Sequence, residues 1–139
     1  MRSAAIIEAF GIRAALPVLL RALPLDRVLD TLTPPPAERE PDPRALRAIE
    51  DATDMVTRRF RPTRTACLKR ALMRYRMLRR EGYDASFVIG VRSGGEDGFE
   101  AHAWVTIDDA PLMEREPINY RPTFIWPPRP VTQSVTSAP

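Results

Sequence analysis

Cys67 and His102 are the only cysteine and the only histidine in a chain of 139 residues. If the protein carries out thiol chemistry, its nucleophile and its base are therefore already identified. Carboxylates follow closely in the sequence at Asp108, Asp109 and Glu114. In thiol catalysis an imidazole takes the thiol proton and later gives it to the leaving amine. A carboxylate holds the ring in one tautomer and stabilises its charged form. The same residues also have a plainer reading. A lone cysteine is most often a small buried hydrophobe, and a lone histidine a hydrogen-bonded core or surface residue. Spacing alone leaves both readings open. A metal site has poor support, because one cysteine and one histidine would leave carboxylates to supply every other ligand.

The elements that must position these residues are legible around them. Cys67 lies near the start of "RPTRTACLKRALMRYRMLRREGY", residues 61–83, where Pro62, Thr63 and Thr65 signal a helix start and Gly82 a left-handed end. Leu68, Ala71, Leu72, Tyr75 and Leu78 form one apolar face, and Lys69, Arg70, Arg74, Arg76, Arg79 and Arg80 occupy much of the rest. Cys67 thus falls in the first turn, where unpaired backbone amides and the positive end of the helix dipole favour a thiolate. Those amides are also a ready oxyanion site. After Gly82 the period changes to two. "ASFVIGV", residues 85–91, reads as a strand, "RSGGEDG" as a turn and "FEAHAWVTI", residues 99–107, as a second strand paired back on the first. His102 shares a face with Trp104 and Thr106, opposite Ala101, Ala103, Val105 and Ile107. "DDA" turns the chain again, and "PLMERE" begins a short third strand that returns Glu114 toward the second.

Upstream, "PRALRAIEDATDMVTRRF" has helical spacing through Leu46, Ile49, Ala52, Met55 and Val56, with Asp42 as cap and Pro43 at the first helical position. Residues 33–43 hold a proline cluster that neither helix nor sheet can cross. Residues 1–32 carry one or two amphipathic helices, expected to pack on the core. Glu8, Arg13 and Pro17 interrupt the apolar run, so neither a signal peptide nor a transmembrane segment is read there. Tyr120, Phe124 and Trp126 precede "PPRP", a segment expected to strap the core or wall a cleft and unable to form a central strand. Disorder is expected from 129 to 139. The chain thus divides into an N-terminal helical segment at 1–32, a linker at 33–43, a core at 44–128 and a tail at 129–139. A single cysteine excludes an internal disulfide and fits a reducing cytoplasm.

The stretches "ACLKRALMRYRMLRREGYDASFVIGVR", "FEAHAWVTIDDAPLME" and "NYRPTFIWPP" together resemble the leader peptidase of lasso-peptide biosynthesis, the B protein of those clusters. The likeness covers roughly residues 45–128. It implies an α+β fold of the transglutaminase-like, papain-related kind, in which N-terminal helices and a catalytic helix pack on a small antiparallel sheet. It also implies a cysteine protease that removes the leader from a ribosomally made precursor, with Cys67 as nucleophile, His102 as base and Glu114 as carboxylate. Aspartate is the more frequent residue at that third place, which keeps Asp108 and Asp109 as alternatives, and Ala71 stands where relatives often carry serine. The implied partners are the lasso precursor peptide, a separate leader-recognition protein and an ATP-dependent macrolactam cyclase, with no cofactor. Residues 1–44 are too short and proline-rich for a winged-helix leader-binding portion, so the stand-alone peptidase half is expected.

A net charge of +3 permits an anionic partner without requiring one. A basic nucleic-acid-binding module would account for the 21 basic side chains, yet no recognition motif accompanies them, and no nucleic-acid partner is expected. A non-catalytic scaffold on the same fold, or another acyl transferase or amidase, would share the sequence features.

Overall fold

A computed structural model describes residues 2–38, 40–60, 65–94 and 98–128. Four helices come first, α1 (Arg2–Ala22), α2 (Leu25–Leu32), α3 (Pro43–Arg59) and α4 (Ala66–Glu81). Four strands follow, β1 (Ala85–Ser93), β2 (Phe99–Ile107), β3 (Ala110–Leu112) and β4 (Arg121–Trp126). The strands form one antiparallel sheet in the order β3-β2-β1-β4. This is the α+β class expected from the sequence.

Local chemistry sets the element boundaries. The Asp42 carboxylate accepts the Arg44 backbone N–H at 2.9 Å, and Pro43 fills the first helical position of α3, where its missing donor costs nothing. α4 ends where Gly82 turns left-handed at φ 111°, with the Tyr83 N–H closing back on the Leu78 carbonyl at 3.0 Å. β2 and β3 are joined by two residues alone, Asp108 and Asp109, both at positive φ. That is the turn whose twist matches paired strands.

Packing follows the alternation of the strands. Phe87, Ala103 and Val105 on one sheet face join Leu72, Met73, Tyr75 and Leu78 of α4 in the core. Ile49 and Val56 of α3, Val28 and Leu29 of α2, and Ala9 and Leu16 of α1 complete it. His102 and Trp104 alternate with the core residues and fall on the other face.

Three expectations change. α1 is one continuous helix that passes through Glu8, Arg13 and Pro17, although Pro17 has no N–H to give the carbonyl one turn back. By length and composition it suffices to cross a membrane, with a mean hydropathy of 1.7. Its Ala5, Ala9 and Leu16 are nevertheless buried against the other helices. The segment expected to strap the core or wall a cleft also forms an edge strand. β4 pairs with β1 and slips register between Ile89 and Gly90, and Pro122 sits where a sheet edge tolerates a missing donor. Arg74, placed above outside the apolar face of α4, is buried. The start signal Pro62, the candidate cap Thr63 and the tail from 129 lie outside the described residues, whereas Thr65 does occupy the N-cap of α4.

Candidate active site

β2 carries His102 to the wall of a cleft of about 500 Å³. Asp54 and Arg58 of α3, Arg70 of α4, and the chain from Met113 to Tyr120 also line it. The His102 Nε2 and Glu114 Oε1 atoms are 2.6 Å apart, and both side chains are mostly shielded from solvent. A carboxylate can only accept, so Nε2 carries the proton and donates it to Glu114. In the neutral imidazole this tautomer puts the lone pair on Nδ1, which is the form a general base requires. The imidazole is also held by aromatic faces. Trp104 stacks on it with centroids 5.8 Å apart and planes 18° apart, and Tyr120 lies across it at 5.2 Å.

Tyr120 is fixed in turn by Arg92, whose guanidinium lies 4.5 Å from the ring centroid. Arg92 Nε donates to Glu100 at 2.8 Å and Nη1 donates to Asn119 at 2.7 Å, tying β1 to β2 and to the loop before β4. The Glu100 hydrogen bond raises the Arg92 pKa further. Gly90 explains how the indole fits. A Cβ there would stand 2.7 Å from Trp104 Cη2 and 2.9 Å from the Arg121 carbonyl oxygen. The glycine of "VIGVR" is therefore a space requirement of the His102 platform.

Glu114 reaches His102 because the chain reverses just before it. Met113 sits at φ 62°, a left-handed conformation that a long side chain rarely adopts. Its carbonyl accepts Arg74 Nη1 at 3.1 Å. The same guanidinium donates through Nε to Thr53 Oγ1 and through Nη2 to Asp54 Oδ1, each at 2.8 Å. Burial, then the charge of Arg70, lowers the Arg74 pKa, while Asp54, Glu114 and Glu50 oppose the shift.

Of the residues singled out in the sequence, the fold brings His102 and Glu114 into contact. Asp108 and Asp109 occupy the tight turn at the other end of β2 and line a separate depression with Asp84 and Ser86. Cys67 is half-buried in the first turn of α4. It is not among the residues lining the His102 cleft, although Arg70, one turn further on, is. Among the described residues it makes no hydrogen bond to His102 or Glu114. Tyr120 lies in the segment expected to strap the core or wall a cleft, and it does line the cleft; Arg74 and Arg92 are parts of the site that the sequence reading does not single out. For Arg74 the signal was present, since it stands two turns after Cys67 on the stripe that also holds Arg70. No sequence pattern announces Arg92, or the contact of Tyr120 with His102, because both depend on how the strands pair.

A family model described as the transglutaminase-like superfamily matches residues 10–124. No curated protein and no solved structure matches the chain.

Proposed function

The chain belongs to the transglutaminase-like superfamily, and from that premise we propose that it is a cysteine peptidase that removes the leader from a ribosomally made lasso-peptide precursor. The superfamily includes cysteine peptidases. The observation that carries the reading is the His102–Glu114 pair, which leaves Nδ1 as the basic nitrogen in a chain with one cysteine, at a helix start. The finer assignment to lasso precursors rests on the "ACLKRA", "VIGVR" and "HAWV" stretches.

In this mechanism Nδ1 of His102 takes the proton from Cys67, and the sulfur attacks the scissile carbonyl carbon. Backbone amides at the start of α4 receive the oxyanion. The imidazolium, held through Nε2 by Glu114, gives its proton to the leaving amine as the peptide bond breaks. His102 then takes a proton from water, whose oxygen attacks the thioester and releases the leader. Cys67 regains its proton. Contacts of this kind are commonly long without substrate and tighten when it is bound, so the pairing of Cys67 with His102 belongs to the substrate complex in this mechanism. A leader-recognition protein would deliver the precursor, and an ATP-dependent cyclase would use the freed core peptide.

A non-catalytic scaffold on the same fold is the second reading. The position of Cys67 outside the cleft lining favours it. Mass spectrometry of a lasso precursor incubated with the protein and a leader-binding partner separates the two. A single leader cut, lost in both Cys67→Ala and His102→Ala, is the expected result. No cut by any form, with a Cys67 that does not react with iodoacetamide at neutral pH, would establish the scaffold.

A further inference from the structure

The buried charge of Arg74 is spent in a way that a simple ion pair does not explain. Arg74 is 3% exposed and salt-bridged to Asp54 at 2.8 Å, with Thr53 accepting from Nε. Those two partners sit next to each other on α3 and would satisfy one side of the guanidinium. The third contact runs the other way, to the carbonyl of Met113. This does nothing for Asp54, but it fixes the peptide unit that leads directly into Glu114. Met113 is also the residue held left-handed, a conformation that persists only where its surroundings over-determine it. Among the described residues Arg74 makes no hydrogen bond to Glu114 itself, so the carboxylate oxygen at 2.6 Å from Nε2 remains given to His102.

We propose that Arg74 is a positioning residue that anchors the Met113–Glu114 turn to α3 and thereby sets the Glu114 carboxylate against His102. This assignment rests on reading His102 as the base and Glu114 as the group that orients it. A planar guanidinium suits the task because it reaches three acceptors in fixed directions at once, where an ammonium on a flexible stem cannot hold the same fork. Among the described residues α3 makes no hydrogen bond to His102 and acts on it through Arg74. Thr53 and Asp54 aim Arg74, Arg74 holds the Met113 carbonyl, and Glu114 follows.

The test uses the fact that the chain has one imidazole. Nitrogen-15 NMR of the full chain reports both the tautomer of His102 and the rate at which its Nε2–H proton exchanges with water. Arg74→Lys keeps the charge and loses the fork, so a change at His102 then comes from geometry. The expected result is exchange faster by about tenfold or more, with growth of the Nδ1–H tautomer. Thr53→Val removes the Nε acceptor without changing charge and is expected to move the signal in the same direction, while Thr53→Ser restores it. An Nε2–H proton that exchanges at the wild-type rate in folded Arg74→Lys would overturn the assignment. If Arg74→Lys does not fold, wild-type exchange in Thr53→Val overturns it equally. Because the measurement needs no substrate, faster exchange in the variants of a protein that cuts no precursor retains the positioning role and removes the peptidase reading. Unchanged exchange beside an active wild type does the reverse.

Discussion

Glu114 is one methylene longer than aspartate, and from a backbone that turns left-handed at Met113 its Oε1 comes within 2.6 Å of His102 Nε2. Glu114→Gln keeps the shape and removes the charge that steadies an imidazolium. Turnover of the precursor is expected to fall by about 10²–10⁴-fold with the fold intact. Glu114→Asp keeps the charge and withdraws it, and is expected to lose about tenfold or more. Steady-state cleavage of both variants checks this, and a Glu114→Gln enzyme as fast as wild type would show that the carboxylate does not act on His102. Gly90 makes a prediction of a different kind. Gly90 is not among the positive-φ glycines, so the barrier to a side chain there is space, with Trp104 and the Arg121 carbonyl both closer than a Cβ tolerates. Gly90→Ala is expected to cost about 1–3 kcal/mol in urea unfolding. It should also lower activity, because the indole it displaces is the surface on which His102 stacks.

At the level of elements, α4 carries the start of the site at one end and is clamped to α2 near its middle by a hydrogen bond of 2.7 Å between the Tyr75 hydroxyl and Thr33 Oγ1. Tyr75 is fully buried, and burial raises its pKa above the ordinary value of 10.0, with the Thr33 hydrogen bond opposing. The unfolded chain therefore releases this proton at lower pH than the folded one does. The stability that Tyr75 contributes is complete below about pH 10 and is lost as pH rises through the folded-state value. Tyr75→Phe is expected to flatten the alkaline limb of a plot of unfolding free energy against pH, and an unchanged limb would refute it. The elements readable in advance were those whose signal is local: the α3 cap at Asp42, the α4 end at Gly82, and β2, whose period-two pattern falls within the observed bounds. What stayed hidden depends on partners distant in sequence. Arg74 reads as one more exposed cation until α3 supplies Thr53 and Asp54, and Tyr120 reads as part of a strap until β4 pairs with β1 and brings it over His102. The pairing of His102 with Glu114 rather than with a nearer aspartate was likewise undecided, because it depends on the backbone of Asp108, Asp109 and Met113, which all take positive φ.

Across the whole molecule, the question is whether the N-terminal helices merely accompany the site or hold it up. α1 packs against α3 and α4 and buries Ala9 and Leu16 completely, and α3 is the helix whose Thr53 and Asp54 anchor Arg74. The superfamily match itself begins at residue 10, within α1. Packing of this kind makes α1 a wall of the same core on which the sheet rests, so loosening it should be felt at the cleft. Leu16→Ala removes a fully buried side chain far along the chain from His102 and is expected to cost about 2–5 kcal/mol. If α1 and the sheet share one core, far-UV circular dichroism, which follows mainly the helices, and the fluorescence of the two tryptophans, Trp104 and Trp126, both in the sheet, will lose signal at the same urea concentration, in wild type and variant alike. Two separated transitions, with the helical signal lost first and the tryptophan signal unmoved by Leu16→Ala, would instead make residues 2–32 an appendage, and the cleft would then owe its shape to α3, α4 and the sheet alone.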